Sequence, residues 1–145
     1  MALVTRQGKG SKLTSAEMDG NLTYLESMGR PYKVYTALLT QSGTDAPIAA
    51  VLENTLGGEV TWTYSEPGYY VANSNGLFTY NKTQLFHGDS RESGQFKLIE
   101  FYQDFEDENT LWLESSKTSI VNGNLTYNYL DGLLKGVPVE IRVYP

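Results

Sequence analysis

The amino-acid sequence predicts an all-β fold, an antiparallel β-sandwich that is jelly-roll-like, preceded by a short N-terminal α-helix. From Tyr32 onward, apolar and polar residues alternate in short runs separated by Gly, Asn and Pro. The 14 glycines favour many turns, and the 11 tyrosines are typical of strands. Because 145 residues suffice for one domain with an appendage, we expect an attachment segment over residues 1–30 and a β domain over residues 32–145.

The first 12 residues predict an extended basic arm, since they hold three bases, two glycines and no acid. A helix follows. Thr14 and Glu17 have the spacing of a capping box, in which each side chain accepts a hydrogen bond from the other residue's backbone amide. Gly29 suits the left-handed position after a helix, and Pro31 prevents continuation. The sequence therefore predicts a helix over residues 15–28.

The predicted helix has a narrow apolar stripe formed by Met18, Leu22 and Leu25, and Leu13 before the cap completes a hydrophobic staple. A helix of about fourteen residues is marginal by itself in water, so the stripe has to pack against another surface. Two arrangements remain open. Either the stripe packs against the β domain, or the stripes of several copies of the chain pack together. The second arrangement is possible because the three residues are spaced by four and then three positions, as in a coiled-coil seam. We favour self-association.

The β domain is predicted to contain about eight to ten short strands. Asn75–Gly76 and Asn122–Gly123 each indicate a hairpin, because both residue types tolerate positive φ. Trp62 alternates in phase with its apolar neighbours, so we expect it in the core. Residues 83–94 predict a loop-rich stretch. The predicted strands cover residues 32–40, 48–56, 60–64, 69–72, 77–80, 96–102, 110–114, 119–121, 125–129 and 137–143.

Charge and composition exclude several classes of function. The net charge of −6 argues against nucleic acid as a partner. Residues 1–31 hold four bases against three acids, a net of +1, whereas residues 32–145 hold seven bases against fourteen acids, a net of −7. The absence of cysteine excludes disulfides and thiolate metal sites. No run is long enough for membrane insertion or an export signal, so we expect synthesis in a cytoplasm.

No pattern in the sequence indicates catalysis. His87 is the only histidine, and Asp89, Ser90 and Ser93 lie near it, but no G-x-S-x-G motif accompanies them. A loop histidine of this kind is more often a polar surface residue. The fourteen acids of the β domain give no carboxylate pair that stands out for glycoside cleavage. We therefore predict no catalytic residues, no enzymatic activity and no cofactor.

Four carboxylates lie close together between two predicted strands. Calcium prefers such hard oxygen ligands, but the segment lacks the spacing of an EF-hand loop. We interpret it as a solvated turn whose charges oppose edge-to-edge aggregation, with a bound cation as the weaker alternative. The four residues are Asp104, Glu106, Asp107 and Glu108.

Aromatic residues are the strongest candidates for binding. Trp112 lies out of phase with Leu111 and Leu113, so one side of that strand exposes either the tryptophan or the leucines. Tyrosine rings offer flat apolar faces with a hydroxyl group, which suit stacking on sugars or contacts between subunits. Their ordinary role is strand formation, and we favour that role. The candidate glycan or subunit contacts are Trp112, Tyr69, Tyr70, Tyr102, Tyr127 and Tyr129.

One segment resembles a known family. Residues 9–22, KGSKLTSAEMDGNL, resemble the N-terminal signature K-G-S-x-L-T-x-A-E-x-D-x-N of tailed-phage tail and fibre proteins. The resemblance covers 14 of the 145 residues. It implies an N-terminal anchor to the particle, a distal β module and a homotrimer. The chain departs from long fibres because no extended shaft separates the helix from the β domain.

We therefore predict a virion structural protein: a short fibre, spike, head fibre, or baseplate or collar accessory, made in the host cytoplasm. We expect a homotrimer that binds other virion proteins, with a bacterial surface glycan as a further partner. Two alternatives remain, a monomeric carbohydrate-binding module and, less favoured, a small glycan-degrading enzyme. The basic arm and the resemblance indicate attachment or oligomerisation through Arg6, Lys9, Lys12, Leu13, Met18, Leu22 and Leu25.

Overall fold

The computed structural model describes residues 3–27, 29–89 and 97–145. Two antiparallel β-sheets follow a short helical segment, which confirms the predicted all-β sandwich with an N-terminal helix. The chain divides into two compact units, Met1–Pro31 and Tyr32–Pro145.

The first unit contains two helices, α1 (Arg6–Lys9) and α2 (Ser15–Ser27). The arm was predicted to be extended, but the Thr5 hydroxyl caps α1 by accepting from the Gly8 amide at 3.1 Å. Helix α2 begins at the predicted capping box. The Glu17 amide donates to the Thr14 hydroxyl at 3.2 Å, and the Thr14 amide donates to the Glu17 carboxylate at 2.7 Å. In the described part of the chain, no helix is long and apolar enough to cross a membrane.

The second unit is built from antiparallel strands. The four-stranded sheet has the order β2-β1-β9-β5, and the five-stranded sheet has the order β3-β4-β7-β6 with β8 paired to β7. The strands are β1 (Lys33–Thr40), β2 (Ile48–Asn54), β3 (Thr61–Glu66), β4 (Tyr69–Asn73), β5 (Thr83–His87), β6 (Lys97–Tyr102), β7 (Thr110–Val121), β8 (Asn124–Tyr129) and β9 (Lys135–Val143).

Strands that follow one another in sequence pair directly in four places, β1–β2, β3–β4, β6–β7 and β7–β8. Tight turns such as Pro67–Gly68 allow this, because they return the chain beside the strand that it has just left. The remaining pairings, β1–β9, β4–β7 and β5–β9, join strands that are distant in sequence.

The core lies between the two sheets and is lined by alternate residues of each strand. Trp62 is buried as predicted, and its indole N–H donates to the Tyr35 hydroxyl of the opposite sheet at 3.2 Å. This bond satisfies both polar groups inside an apolar core. The largest fully buried side chains are Tyr35, Leu39, Phe78, Tyr70, Leu111, Leu113, Leu134 and Ile141.

A buried polar network closes one end of the sandwich. The Tyr70 hydroxyl lies 3.0 Å from Gln41 Oε1 and 3.3 Å from Asp131 Oδ1. The Gln41 oxygen also accepts from the Gly132 amide at 2.6 Å, and the Asp131 carboxylate accepts from the Gly68 amide at 2.9 Å. The network therefore joins three connections, those after β1, between β3 and β4, and before β9.

The segment after β4 differs from its prediction. Gly76 adopts a left-handed turn, but residues 77–80 do not return along β4 as a strand. The Ser74 amide donates to the Asn109 carbonyl at 2.7 Å, the Phe78 amide donates to the Glu108 carbonyl at 3.1 Å, and the Phe78 ring is fully buried. These tertiary contacts override the local hairpin signal.

Two strands, β5 and β7, also differ from what the sequence predicted. The stretch that was predicted to be loop-rich contains β5, which completes the four-stranded sheet against β9; its residues 90–94 lie outside the described part. Residues 110–121 form the single strand β7 and not two separate strands, because β6, β4 and β8 all pair along it.

We expect Gly68→Ala to destabilise the protein more than Gly76→Ala. Both glycines have positive φ, which costs a side chain about 1 kcal/mol or more. A Cβ at Gly68 would also lie 2.5 Å from the Ser115 carbonyl oxygen, whereas nothing lies within 4 Å of one at Gly76. Urea unfolding should show a further loss of about 2 kcal/mol for Gly68→Ala. Equal losses in the two variants would contradict this packing.

We expect Tyr70 to make the fold sensitive to alkali. Burial raises its pKa from 10.0 to about 12, so the folded state favours the neutral phenol. Its contribution is fully present below about pH 10 and is lost as the pH rises through 12, by roughly 2 kcal/mol. Unfolding free energies at pH 8–12 should fall less steeply for Tyr70→Phe than for wild type, with the exposed Tyr127→Phe as control. If the unfolding free energies of wild type and Tyr70→Phe fall equally with pH, Tyr70 is not the source of the alkali sensitivity.

Candidate functional site

Polar side chains of residues 9–22 form hydrogen bonds within the first unit. The Lys9 ammonium lies 2.5 Å from the Glu17 carboxylate, which also accepts from Thr14. The Asn21 amide pairs with both backbone groups of Val4, accepting from its N–H at 2.8 Å and donating to its carbonyl at 2.7 Å. Asn21 thus fastens the arm to helix α2, and together these bonds form a hydrogen-bonded motif within the first unit.

The Glu17 carboxylate is the electrostatic centre of this motif. Its hydrogen bond with Lys9, together with those from Thr14, lowers its pKa from 4.5 to about 2. The carboxylate therefore stays charged and keeps the capping box closed at physiological pH. The other predicted arm cations, Arg6 and Lys12, have exposed side chains.

The apolar stripe of helix α2 is exposed to solvent. Met18 is 48% exposed, Leu22 61% and Leu25 51%, while Leu13 is partly buried beside the cap. Isolated exposed apolar residues are ordinary on a protein surface, but three in one row at helical spacing form a contact stripe. Of the sequence-predicted attachment residues, Lys9 is bonded to Glu17 and Leu13 is partly buried, whereas the other two cations and the three stripe residues are exposed.

The outer face of the five-stranded sheet carries most of the predicted aromatic contacts. Leu111 and Leu113 are buried, so Trp112 is the outward-facing residue of that pair. It is flanked by Val71 on β4 and Tyr102 on β6. We call this surface the aromatic face; its members are Trp112, Tyr102, Tyr69, Tyr129 and Val71.

Hydrogen bonds and ring contacts fix the rings of the aromatic face. The Tyr102 hydroxyl donates to Glu114 at 2.5 Å, and the ring centroids of Tyr69 and Tyr129 are 4.7 Å apart. Desolvation and the bond to Glu114 raise the pKa of Tyr102, while the bond to Tyr129 raises that of Tyr69. Both phenols remain neutral hydrogen-bond donors over the physiological range.

The charge of the aromatic face is negative. Register places Glu114 and Glu100 side by side between the aromatic rows, and no outward-facing strand residue described for this sheet is Lys or Arg. Carboxylates accept hydrogen bonds from hydroxyl groups, and flat rings stack on the apolar faces of sugars. The arrangement suits an uncharged, hydroxyl-rich ligand better than an anionic one.

Tyr70 does not belong to this surface. It is fully buried on the core side of β4, because adjacent residues of a strand point to opposite faces and Tyr69 points outward. Its role is the buried network with Gln41 and Asp131. The sixth candidate, Tyr127, lies farther along the same outer face on β8 and is 50% exposed.

The acidic segment forms a structured turn. Asp107 accepts hydrogen bonds from the Asn109 amide at 2.7 Å and from the Thr110 hydroxyl, and these bonds lower its pKa. Glu108 accepts from the Tyr80 amide at 3.3 Å. Asp104 and Glu106 are exposed, and no cluster of three or more metal-ligating side chains occurs among residues 3–27, 29–89 and 97–145.

His87 ends strand β5 and is exposed. Its Nδ1 lies 3.4 Å from the Gly88 carbonyl oxygen, and Ser90 and Ser93 lie outside the described residues.

Two features escaped the sequence analysis. The Arg142 guanidinium lies over the rings of Tyr32 at 4.8 Å and Phe86 at 4.5 Å, which covers aromatic surface on the four-stranded sheet. The apolar residues Ile120 and Leu125 stand exposed on the hairpin of β7 and β8. The exposed Ile120 and Leu125 could have been indicated only by alternation in the short runs around Asn122–Gly123. No local pattern indicated the contacts of Arg142 with the two rings.

No protein-family model, no curated protein and no solved structure matches this chain.

Proposed function

We propose that this chain is a structural protein of a tailed-phage particle, attached through residues 1–30 and projecting its β domain outward. The observation that carries the proposal is the organisation of the first unit. Within this unit, Lys9 of the signature bonds to Glu17 and Asn21 of the signature bonds to Val4 of the arm, while an apolar stripe stays in solvent. A motif that bonds its polar side chains internally and presents an apolar row suits an anchor.

The stripe supports self-association of the anchor. Three half-exposed apolar side chains, Met18, Leu22 and Leu25, would contribute about 3 kcal/mol per chain when buried. Helix α2 contains Gly20, Asn21 and Thr23, which are poor helix formers, so a partner helix supplies stability that the isolated helix lacks. We propose a homotrimer held in part by these helices.

The β domain supplies the projecting part. Its seven bases and fourteen acids give a net charge of −7, which limits non-specific association by like-charge repulsion. Its aromatic face, centred on Trp112 and Tyr102, is the surface that we assign to contacts with a host glycan. The same charge disfavours nucleic acid as a partner.

We expect Leu22→Glu to dissociate the oligomer. Wild type should have the mass of three 16.2 kDa chains by light scattering, and the variant should lose mass because charges would meet in the seam. Thr23→Glu adds the same charge away from the stripe and should retain the wild-type mass.

An antibody against the β domain should label phage particles from the source of the chain. A monomeric wild type would refute the trimer, and unlabelled particles would refute the virion role.

The aromatic face favours a second candidate function, a monomeric carbohydrate-binding module. Trp112, Tyr102 and Tyr69 offer stacking surfaces next to the Glu114 acceptor. Such a module requires neither self-association nor a particle.

We expect Trp112→Ala to weaken glycan binding about threefold to tenfold, since one aromatic contact contributes about 0.5–1.5 kcal/mol. Titration calorimetry with neutral bacterial O-chain oligosaccharides would measure this, with polygalacturonate as the anionic comparison. Phe105→Ala removes an exposed ring outside the face and should bind like wild type. Monomeric protein that binds neutral glycan would favour the module; no binding would remove this function.

A further inference from the structure

Two Asn–Gly pairs, Asn75–Gly76 and Asn122–Gly123, occupy turns of the β domain, and all four residues are exposed. In such a pair, the backbone nitrogen of the glycine can attack the side-chain carbonyl carbon of the asparagine, because glycine has no Cβ to obstruct a close approach. Water and base reach both pairs equally. Any difference in their reactivity therefore depends on the hydrogen bonds within each turn.

Hydrogen bonds hold the turn at Asn75–Gly76. The Gly76 amide donates to Asn109 Oδ1 at 3.1 Å. On either side of the pair, the Ser74 amide donates to the Asn109 carbonyl at 2.7 Å, and the Leu77 amide donates to the Ser74 hydroxyl at 3.2 Å. A nitrogen whose N–H is held by an acceptor loses its proton less readily and cannot turn toward the neighbouring side chain. This turn is therefore protected against the attack.

The turn at Asn122–Gly123 leaves its glycine amide unbonded. Val121 and Asn124 form the last pair of strands β7 and β8, so the two turn residues lie beyond the paired region. Both have positive φ, 53° and 81°, as a two-residue hairpin turn requires. Among residues 3–27, 29–89 and 97–145, the Gly123 amide has no hydrogen-bond acceptor. The nitrogen that would attack Asn122 is thus open to solvent base.

We infer that Asn122 is a site of spontaneous deamidation, a covalent modification that is independent of the proposed function. The Gly123 nitrogen loses its proton to solvent base and attacks Asn122 Cγ, and the side-chain nitrogen leaves as ammonia. A five-membered succinimide results, in which Cγ is joined to the Gly123 nitrogen. Water then opens the ring at either carbonyl and gives aspartate or isoaspartate. In the net reaction, one amide and one water become a carboxylate and an ammonium ion, and no oxidation occurs.

The two products change the tip of the hairpin differently. Aspartate tolerates the left-handed conformation about as well as asparagine does, so it keeps the turn. It also adds one negative charge to residues 118–130, which have no charged side chain. Isoaspartate extends the backbone by one methylene group, because the chain now runs through the former side chain. The turn then no longer fits the Val121–Asn124 pair, and the end of the hairpin loosens as the protein ages.

Incubation of the full-length wild-type protein in mildly alkaline buffer tests the inference. Peptide mapping by mass spectrometry, with isoaspartyl methyltransferase to detect isoaspartate, should find that Asn122 reacts about tenfold faster than Asn75, since one hydrogen bond has to break before Gly76 can attack. The rate at Asn122 should rise with pH, because the attacking nitrogen has to lose its proton. An Asn122 rate that does not exceed the Asn75 rate would overturn the inference.

Substitution of Asn109 tests the protecting bond directly. Asn109→Ala removes the side-chain acceptor of the Gly76 amide and keeps the backbone carbonyl that holds Ser74. Asn75 should then react about tenfold faster than in wild type, whereas Asn122 should keep its wild-type rate. Asn109→Asp is the matched control, since it retains an Oδ acceptor and should leave Asn75 slow. Equal acceleration of both asparagines by Asn109→Ala would contradict the assigned protection.

Hydrogen exchange measures the effect of the modification on the hairpin. In aged wild-type protein, peptides covering residues 118–128 should exchange faster than in fresh protein, because isoaspartate disrupts the pairing near the tip. Asn122→Gly is the control: glycine adopts the same positive φ and has no side-chain amide to lose, so exchange should not change with age. Exchange that stays constant in wild type after conversion of Asn122 would overturn the predicted loosening.

Discussion

The hydroxyl of Tyr70 is the point on which the β domain depends most. It lies where three connections meet in the apolar interior, and any buried polar group there must be satisfied or the fold loses free energy. Gln41 and Asp131 meet this requirement and, in doing so, fix the connections that carry them. Gln41 also donates to the carbonyl oxygens of Gly43 and Asp45, so the first long loop is held by the same side chain. One buried phenol therefore positions strands of both sheets.

The two outer faces of the sandwich differ in how their aromatic residues are used. On the four-stranded sheet, the Arg142 guanidinium lies over the rings of Tyr32 and Phe86 and forms an ion pair with Glu140. These rings are therefore already in contact with a cation of the protein itself. On the five-stranded sheet, no outward-facing cation in the described strands covers Trp112 or its neighbours. In the described strands, the outer face of the five-stranded sheet is thus the one that combines uncovered aromatic rings with carboxylate acceptors. This asymmetry is why we assign ligand contact to one face.

Local signals in the sequence predicted the elements that local physics decides. The Thr14–Glu17 capping box, the Asn122–Gly123 turn and the core position of Trp62 were all confirmed, because each depends on neighbours a few residues away. Asn75–Gly76 failed as a hairpin because contacts with residues 108 and 109 compete with its local preference.

The candidate surfaces were predictable only in part. Alternation showed that Tyr69 and Tyr70 point to opposite faces, but not which face is the core. The burial of Tyr70 follows from Gln41 and Asp131, which are 29 and 61 residues away in sequence. In the first unit, helical spacing predicted the stripe of helix α2, yet the Lys9–Glu17 ion pair and the pairing of Asn21 with Val4 had no signal in the pattern.

The sheet order also determines when each part of the chain can fold during synthesis. In the first unit, the bonds between Asn21 and Val4 join residues 17 positions apart, so this unit can fold soon after it emerges from the ribosome. Strand β1 pairs with β9, with Lys33 opposite Val143, and at translation rates of about 5–20 residues per second it waits on the order of ten seconds for that partner. During this interval β2 is the one strand of the two that pair with β1 that has already been made. The newly made chain thus passes through a stage with a folded first unit and an incomplete four-stranded sheet, in which chaperones can act on the β domain alone.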